Sequence, residues 1–391
     1  ALRSAHWNFL ELMPEACLHQ RVVSGWMGLR YHLLMDPPLI RDLLNARVDD
    51  FPKSDIVGRM FRTVAPHNIV SAEGETWEKM RPPMALATNG AALRPFSEVL
   101  TSSAETAAQR IEQELGKTIN IESHMTRSAL DVVSKLSLSD EASPALVETV
   151  HRALSGFAVE ISRFSPLDLI NTPDWLPRPD RGGRSPAIAY GHNLVDGAIA
   201  MRKLNGPKPK PDILDKLLAA QKKDSYITDA HIRDNLNVIL IAGHDTNAHT
   251  LAWAIYLCAF APEIQEAASV EARKVLQGRA AGLEDTKHLP RITRILKETM
   301  RLYPAFPLLV RKSLISEALH GVDFRRGDQV VIPLYALHRN RLFWEDADSF
   351  IPSRFDGTTK ITKNAFLPFG SGPRTCIGAS SAQSQMQIIL A

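Results

Sequence analysis

Near the end of the 391-residue chain, FLPFGSGPRTCIGAS sets Cys376 behind Gly370, Gly372 and Arg374 and ahead of a stretch that reads as a helix. Two glycines two apart allow a tight turn with amides pointing inward, and N–H donors at a helix start stabilise a thiolate. Several uses compete for such a sulfur. A buried structural cysteine is the plainest, because free cysteine is among the most buried residue types. A nucleophile would want a histidine base, and no local signature of a cysteine enzyme accompanies it. A thiolate ligand to iron would want a protected loop, amide donors to sulfur and cations for an anionic cofactor, all of which the loop offers. A phosphate-cradling G-x-G-x-x-G fails because Thr375 stands where the third glycine belongs.

A second constellation is AGHDTN from Ala242, which puts Gly243, His244, Asp245, Thr246 and Asn247 between apolar neighbours. Polar groups are costly there unless partnered, and an exposed polar turn of an amphipathic helix is the alternative. A buried acid beside a hydroxyl suits proton transfer, a glycine lets a flat group approach the backbone, and side chains that compete for carbonyls can open a helix ladder. A third is the pair Glu298 and Arg301, three apart on one helix face. Taken alone it reads as a solvated surface ion pair worth under about 1 kcal/mol. Arg354, in the aromatic-rich FWEDADSFIPSRF, could extend the pair into a charge network.

The elements that must position these residues are mostly helical. QRVVSGWMGLRYHLLMDPPLI alternates and turns like a hairpin, and DQVVIPLYALH reads as a strand followed by a helix. Asp229–Ala261 has an N-cap in Thr228, helical periodicity and a stop at Pro262, which predicts a helix of about 45 to 50 Å. NTPDWLPRPDRGGRSP from Asn171 and NGPKPKPD from Asn205 read as loops, without the change of composition that marks a domain boundary.

Composition excludes several classes. With 45% hydrophobic and 23% charged residues the chain buries a large core, and a net charge of +3 from 46 basic and 43 acidic residues gives no argument for nucleic acid. Cys17, Cys258 and Cys376 show no C-x-x-C spacing, so neither a disulfide framework nor a zinc site is indicated and a reducing compartment is expected. The most apolar stretch, around Val238 and Leu251, is interrupted by His244, Asp245, Asn247 and His249 and fails as a membrane span. The chain begins at Ala1, which leaves room for a preceding segment or anchor.

The segment Phe369, Gly372, Arg374, Cys376, Gly378 resembles the haem-binding signature F-x-x-G-x-R-x-C-x-G of the cytochromes P-450. Four weaker elements occur in the same order as in that family: Trp77 and Arg81 as W-x-x-x-R, Ala242, Gly243, Asp245 and Thr246 as A-G-x-D-T, Glu298 and Arg301 as E-x-x-R, and Pro352, Arg354 and Phe355 as P-x-R-F. The resemblance covers nearly all of the chain. It implies a mainly α fold, the helical prism with a small β-sheet, as one domain over residues 1–391 with further segments before and after it.

The resemblance also implies roles. Cys376 would be the thiolate axial ligand of haem b, Phe369 would pack over its sulfur, and amides including that of Gly378 would temper its basicity. Trp77, Arg81, Arg311 and Arg374 would hold the haem propionates. Asp245 and Thr246 would be the acid–alcohol pair that supplies protons, with Ala242 and Gly243 beside the cofactor and Gly243 opening the helix. Glu298, Arg301 and Arg354 would support the cysteine loop. Val57, Phe61, Phe306, Leu308 and Leu309 are the expected walls of an apolar substrate pocket.

The activity implied is monooxygenation by O2 of an apolar small molecule. No flavin or iron–sulfur segment is present, so a ferredoxin or a diflavin reductase would bring the electrons to the face near the cysteine loop. The GPRTCIG loop and Trp77 resemble members served by diflavin reductases, whereas the absence of a visible anchor suits a soluble, cytoplasmic bacterial system. Rival readings are peroxide-driven, isomerase or dehydratase chemistry on a thiolate haem, which does not need the protons of Asp245 and Thr246, and a haem carrier or gas sensor. Departures from the family pattern are Pro82 and Pro83, expected to interrupt a helix after Arg81, Asn247 where a second threonine or serine is common, a short segment around SKLSLSDEASPAL, and an end 15 residues after Cys376.

Overall fold

A computed structural model of the chain describes residues 10, 13–62, 65–139 and 186–391. The loop expected from Asn171 and most of the SKLSLSDEASPAL segment lie outside them. The described residues divide into two compact units, one containing residues up to Pro66 together with Met300–Cys376, the other residues 67–139 and 186–299 together with Ile377–Ala391.

The first unit is built on a small sheet. The expected hairpin forms strands β1 (Val22–Trp26) and β2 (Arg30–Leu34), paired antiparallel with Ser24 opposite His32. Helix α1 (Asp55–Arg62) follows. Strand β3 (Leu309–Lys312), the hairpin β4 (Glu317–Leu319) and β5 (Val322–Phe324), and β6 (Gln329–Ile332) come from the later part of the unit. The four-stranded sheet has the order β1-β2-β6-β3, with β6 parallel to β2 and antiparallel to β3. Alternation decides which side of it is dry: His32 and Leu34 on β2 and Val330 and Ile332 on β6 are buried. They pack with Phe51, Phe324, Leu39, Leu43, Leu334 and Leu337 into one core, in which Phe51 and Phe324 meet edge to face at 5.2 Å. As expected, β6 runs into a one-turn helix at Leu334–Leu337.

The second unit is helical, with α2 (Gly74–Thr88), α3 (Ser97–Glu112), α4 (Ile121–Leu138), α5 (Pro186–Asn205), α6 (Ile213–Gln221), α7 (Asp229–Ala259) and α8 (Pro262–Leu276). Helix α9 (Pro290–Leu302) enters the first unit at Met300, and α10 (Ala379–Leu390) ends the chain. The NGPKPKPD stretch is the expected loop, closed by Asp212, whose carboxylate accepts from Asp215 N at 2.9 Å and caps α6. Helix α7 has 31 residues, about 46 Å at 1.5 Å per residue, and starts where expected. Thr228 Oγ1 accepts from His231 N, while His231 Nδ1 accepts from Thr228 N, a reciprocal cap. It ends at Ala259, since Pro262 opens α8.

The interruption expected at Pro82 and Pro83 does not occur, and α2 runs through both. The two carbonyls that lose their donors belong to Glu78 and Lys79, one turn back, and both residues are exposed, so water can take the bonds. No helix among the described residues is long and apolar enough to cross a membrane.

Candidate functional site

Cys376 closes a turn in the first unit. Gly370 and Gly372 both adopt positive φ, 74° and 73°, as their type and spacing predict. Gly370 N donates to Leu367 O at 3.1 Å, Thr375 N to Gly372 O at 3.0 Å, and Cys376 N to Phe369 O at 2.9 Å. Thr375 Oγ1 adds a second bond to Phe369 O at 3.1 Å. A Cβ on Gly372 would sit 1.9 Å from Leu44 O, so the turn lies directly against the backbone after the short helix Pro37–Arg41. The sulfur is exposed on this built turn, whereas Cys17 and Cys258 are buried and burial pushes their thiols up to about 11. The structural-cysteine reading therefore fits those two and not Cys376. The helix behind the turn starts at Ala379 with Gly378 as its N-cap.

Behind the turn stands a buried lattice of charge and carbonyls. Arg301 has no exposed surface; its Nη1 donates to His338 O at 2.9 Å and Ala347 O at 2.6 Å, and its Nη2 to Ser349 O at 2.9 Å. The guanidinium also lies 5.1 Å over the ring of Trp344, whose Nε1 donates to Leu337 O. Arg354, also buried, donates from Nη2 to Asp346 O at 2.8 Å, so both arginines hold the one turn at 346–349. Glu298 is fully buried on α9, one turn before Arg301. This burial overturns the solvated surface pair, since a buried guanidinium is tolerated only when its donors are met, and removing such a partner costs about 3–5 kcal/mol.

Sequence reasoning missed His338. It is fully buried, and its Nε2 accepts from Leu367 N at 2.9 Å. Burial, then the nearby charge of Arg301, brings its pKa down to about 3, so the ring is neutral and can accept. Hydrogen bonds thus run from Arg301 through His338 to Leu367, whose carbonyl takes Gly370 N at the entry to the cysteine turn. A histidine in the apolar run PLYALH was the available signal, but its partner lies 29 residues away.

The other first-unit candidates are placed as follows. Arg311 is buried on β3 and donates from Nη1 to Val310 O at 3.0 Å, and Arg374 is half-buried in the turn. Val57 and Phe61 are half-buried on α1, as are Leu308 and Leu309 at the start of β3, while Phe306 is exposed.

In the second unit, α7 stays unbroken through AGHDTN. Gly243 does not open it. A Cβ there would lie 2.7 Å from Val133 Cγ2, so the glycine lets α4 pack close. The buried polar residues are His244, with Nδ1 2.7 Å from Leu240 O, and Asn247, whose Nδ2 donates to Gln385 Oε1 of α10 at 2.8 Å. Asp245 and Thr246 are only partly covered, which corrects the expectation of a buried acid and hydroxyl. The helical period accounts for this: positions 244, 247 and 251 share the packed face, and 242, 245 and 249 the open one. Thr246 Oγ1 returns a bond to Ala242 O at 2.6 Å. Asp245 Oδ1 lies 3.8 Å from His249 Nδ1, and Glu122 Oε1 of α4 lies 3.1 Å from His249 Nε2.

Trp77 and Arg81, four apart on α2, are half-buried on one helix face. The end of α2 is tied to the residues after the cysteine, since Thr88 Oγ1 donates to Ile377 O and Ser381 Oγ to Thr88 O. The structure thus gathers Phe369, Arg374 and Cys376 into one turn of the first unit, with Arg301, His338 and Arg354 behind it. Gly378, at the head of α10, and the AGHDTN turn share the second unit through the Asn247 bond.

Comparison with known proteins gives one family. The model for cytochrome P450 matches residues 12–391. The protein LUTEIN DEFICIENT 5, chloroplastic, of Arabidopsis thaliana is 27% identical over 92% of this chain and 64% of its own length. Carotene epsilon-monooxygenase, chloroplastic, of the same plant is 28% identical over 92% of the chain and 70% of its length. Cytochrome P450 4A10 of Rattus norvegicus is 28% identical over 92% and 74%. The chain therefore spans less than two thirds of the first of these relatives. A crystal structure described as the cytochrome P450DA heme domain superposes with a TM-score of 0.82 over 99% of this chain and 85% of that one, at 23% identity, which speaks for the fold.

Proposed function

Because the chain belongs to the cytochrome P450 family, we propose that residues 1–391 act as one haem-thiolate monooxygenase domain, inserting one atom of O2 into an apolar organic substrate by hydroxylation or epoxidation. The observation that carries this is the exposed Cys376 sulfur on a turn fixed by Phe369 O, in a chain whose other two cysteines are buried. An accessible thiol is open to a ligand, whereas burial disfavours the thiolate form at Cys17 and Cys258. The residues present fit the group. The two positive-φ glycines keep side chains away from the turn, and the buried arginine lattice prevents it from relaxing.

The cofactor, read as haem b, supplies O2 activation once two electrons and two protons arrive. Cys376 Sγ would bind its iron as a thiolate, with Phe369 and the amide of Gly378 limiting the charge that the sulfur donates. Arg311, Arg374, Arg81 and Trp77 would hold its carboxylates. Asp245 and Thr246 would hold and pass protons at Oδ1 and Oγ1, with Ala242 and Gly243 on the same stretch of α7. The apolar side chains of Val57, Phe61, Phe306, Leu308 and Leu309 would select the substrate and exclude water. The carotene monooxygenase among the relatives makes long apolar substrates the first class to test. Electrons would come from a ferredoxin or a diflavin reductase. The acid–alcohol pair argues against purely peroxide-driven, isomerase or dehydratase chemistry and against a haem carrier, none of which needs protons delivered to oxygen.

The test is Cys376→Ser. The wild-type protein, reconstituted with hemin, reduced and exposed to carbon monoxide, should show the red-shifted Soret band of a thiolate complex, and the variant should lose it. A wild-type protein that stays colourless, or the same band in the variant, would overturn the assignment.

A further inference from the structure

The two carboxylates that flank His249 come from different helices. Asp245 precedes it by four residues on α7, which places the two side chains one turn apart on one face, and Glu122 sits in the first turn of α4. Each ring nitrogen faces one of them: Nδ1 lies 3.8 Å from Asp245 Oδ1 and Nε2 3.1 Å from Glu122 Oε1. The first gap is longer than a hydrogen bond, and a small side-chain rotation would close it. Glu122 is the most exposed at 58%, with Asp245 and His249 alike at 41% and 42%. The next turns are tied to the helix itself, Thr246 by its bond to Ala242 O and Thr250 by its bond to Thr246 O at 2.8 Å. His249 thus links Glu122 on α4 to the Asp245–Thr246 pair on α7.

We propose that His249 and Glu122 form the proton route that recharges Asp245 in each turnover. The proposal rests on the monooxygenase reading above. The overall reaction, RH + O2 + 2 electrons + 2 protons giving ROH and water, consumes two protons, and each enters by the same exchange. A proton leaves the Glu122 carboxyl or a water bound to it and joins Nε2 of His249. The Nδ1 proton passes to Asp245 Oδ1, and tautomer exchange resets the ring. No electron moves. Histidine suits the middle position because it is the side chain whose ordinary charge change falls nearest neutrality, and it can be donor on one nitrogen and acceptor on the other.

The experiment compares wild type, His249→Gln and Glu122→Gln, each loaded with haem. The substrate is whichever of styrene, dodecanoic acid or β-carotene the wild type oxidises fastest. Electrons come from a ferredoxin with its reductase or from a diflavin reductase, and parallel reactions use iodosylbenzene, which donates an oxygen atom without needing protons. With O2 the His249→Gln product rate should fall on the order of tenfold, peroxide release should rise about fivefold, and the solvent isotope effect should roughly double. With iodosylbenzene its turnover should stay within about twofold of wild type, as expected when only proton supply is lost. Glu122→Gln should give a smaller loss in the same direction. A second readout needs no turnover: in 15N-histidine-labelled protein as the reduced carbon monoxide complex, the His249 ring signals should move on Glu122→Gln and on Asp245→Asn. Unchanged coupling and isotope effect in His249→Gln, equal losses with both oxidants, or ring signals that ignore both substitutions would overturn the route. A wild type that oxidises nothing with either oxidant would instead overturn the monooxygenase reading, and the route with it.

Discussion

Replacing His338 tests whether a neutral ring supports the cysteine turn. In His338→Phe an aromatic ring is kept beside Phe366, whose centroid lies 5.3 Å from that of the histidine, but the buried Leu367 N–H loses its acceptor. Leaving such a donor unmet costs about 1–3 kcal/mol. The ring's titration adds a pH signature. Its folded pKa is lowered from an ordinary 6.5 to about 3, so the unfolded chain takes up a proton that the folded chain refuses as pH drops below 6.5. The stability contributed by the neutral ring is therefore whole above about pH 6.5 and is lost progressively toward pH 3. At pH 5, 1.5 units below the ordinary value, that loss is about 2 kcal/mol at 1.36 kcal/mol per unit. The phenylalanine variant has no such proton to gain. Reversible urea denaturation of both proteins at pH 8 and pH 5 should show the variant about 1–3 kcal/mol weaker at pH 8, with the gap narrowed by about 2 kcal/mol at pH 5. All other titrations cancel in this double difference. His338→Gln, which can keep an acceptor near Nε2, should lie between the two at pH 8. A gap of the same size at both pH values would show that the ring is not held neutral and would refute the reasoning.

Three further outcomes are expected. Gly372→Ala should cost roughly 3 kcal/mol or more and weaken hemin retention measured by gel filtration, because a Cβ would meet Leu44 O at 1.9 Å on a residue at φ 73°. Gly243→Ala should lower the thermal midpoint through a loss of about 1–3 kcal/mol, and a second change, Val133→Ala, should return part of it, because the clash is with Val133 Cγ2 at 2.7 Å. Thr246→Ala should leave stability within about 0.5 kcal/mol, as its side chain bonds back to its own helix at a partly exposed position, yet raise peroxide release per O2 consumed, read with a peroxide-sensitive dye.

What could be read from the sequence is what depends on neighbours in the chain. The hairpin at Val22–Leu34, the capped start of α7 at Thr228 and the positive-φ turn at Gly370 and Gly372 all follow from residues within a few positions of one another, where alternation, capping and glycine freedom act. The order of the five motifs is also a property of the sequence, and the family match over residues 12–391 bears it out. Tertiary structure decided what depends on distant partners. Whether Asp245 or His244 would be buried turned on which face of α7 meets its neighbours, and Gly243 acquired its role from Val133, 110 positions earlier. Pro82 and Pro83 were tolerated within α2 because the residues one turn back from them are exposed. Arg301 became a buried lattice member rather than a surface cation because the carbonyls of His338, Ala347 and Ser349 converge on it. Burial and pairing are set by the whole packed unit, and the free energy that makes a polar residue structural or reactive comes from contacts that local spacing does not specify.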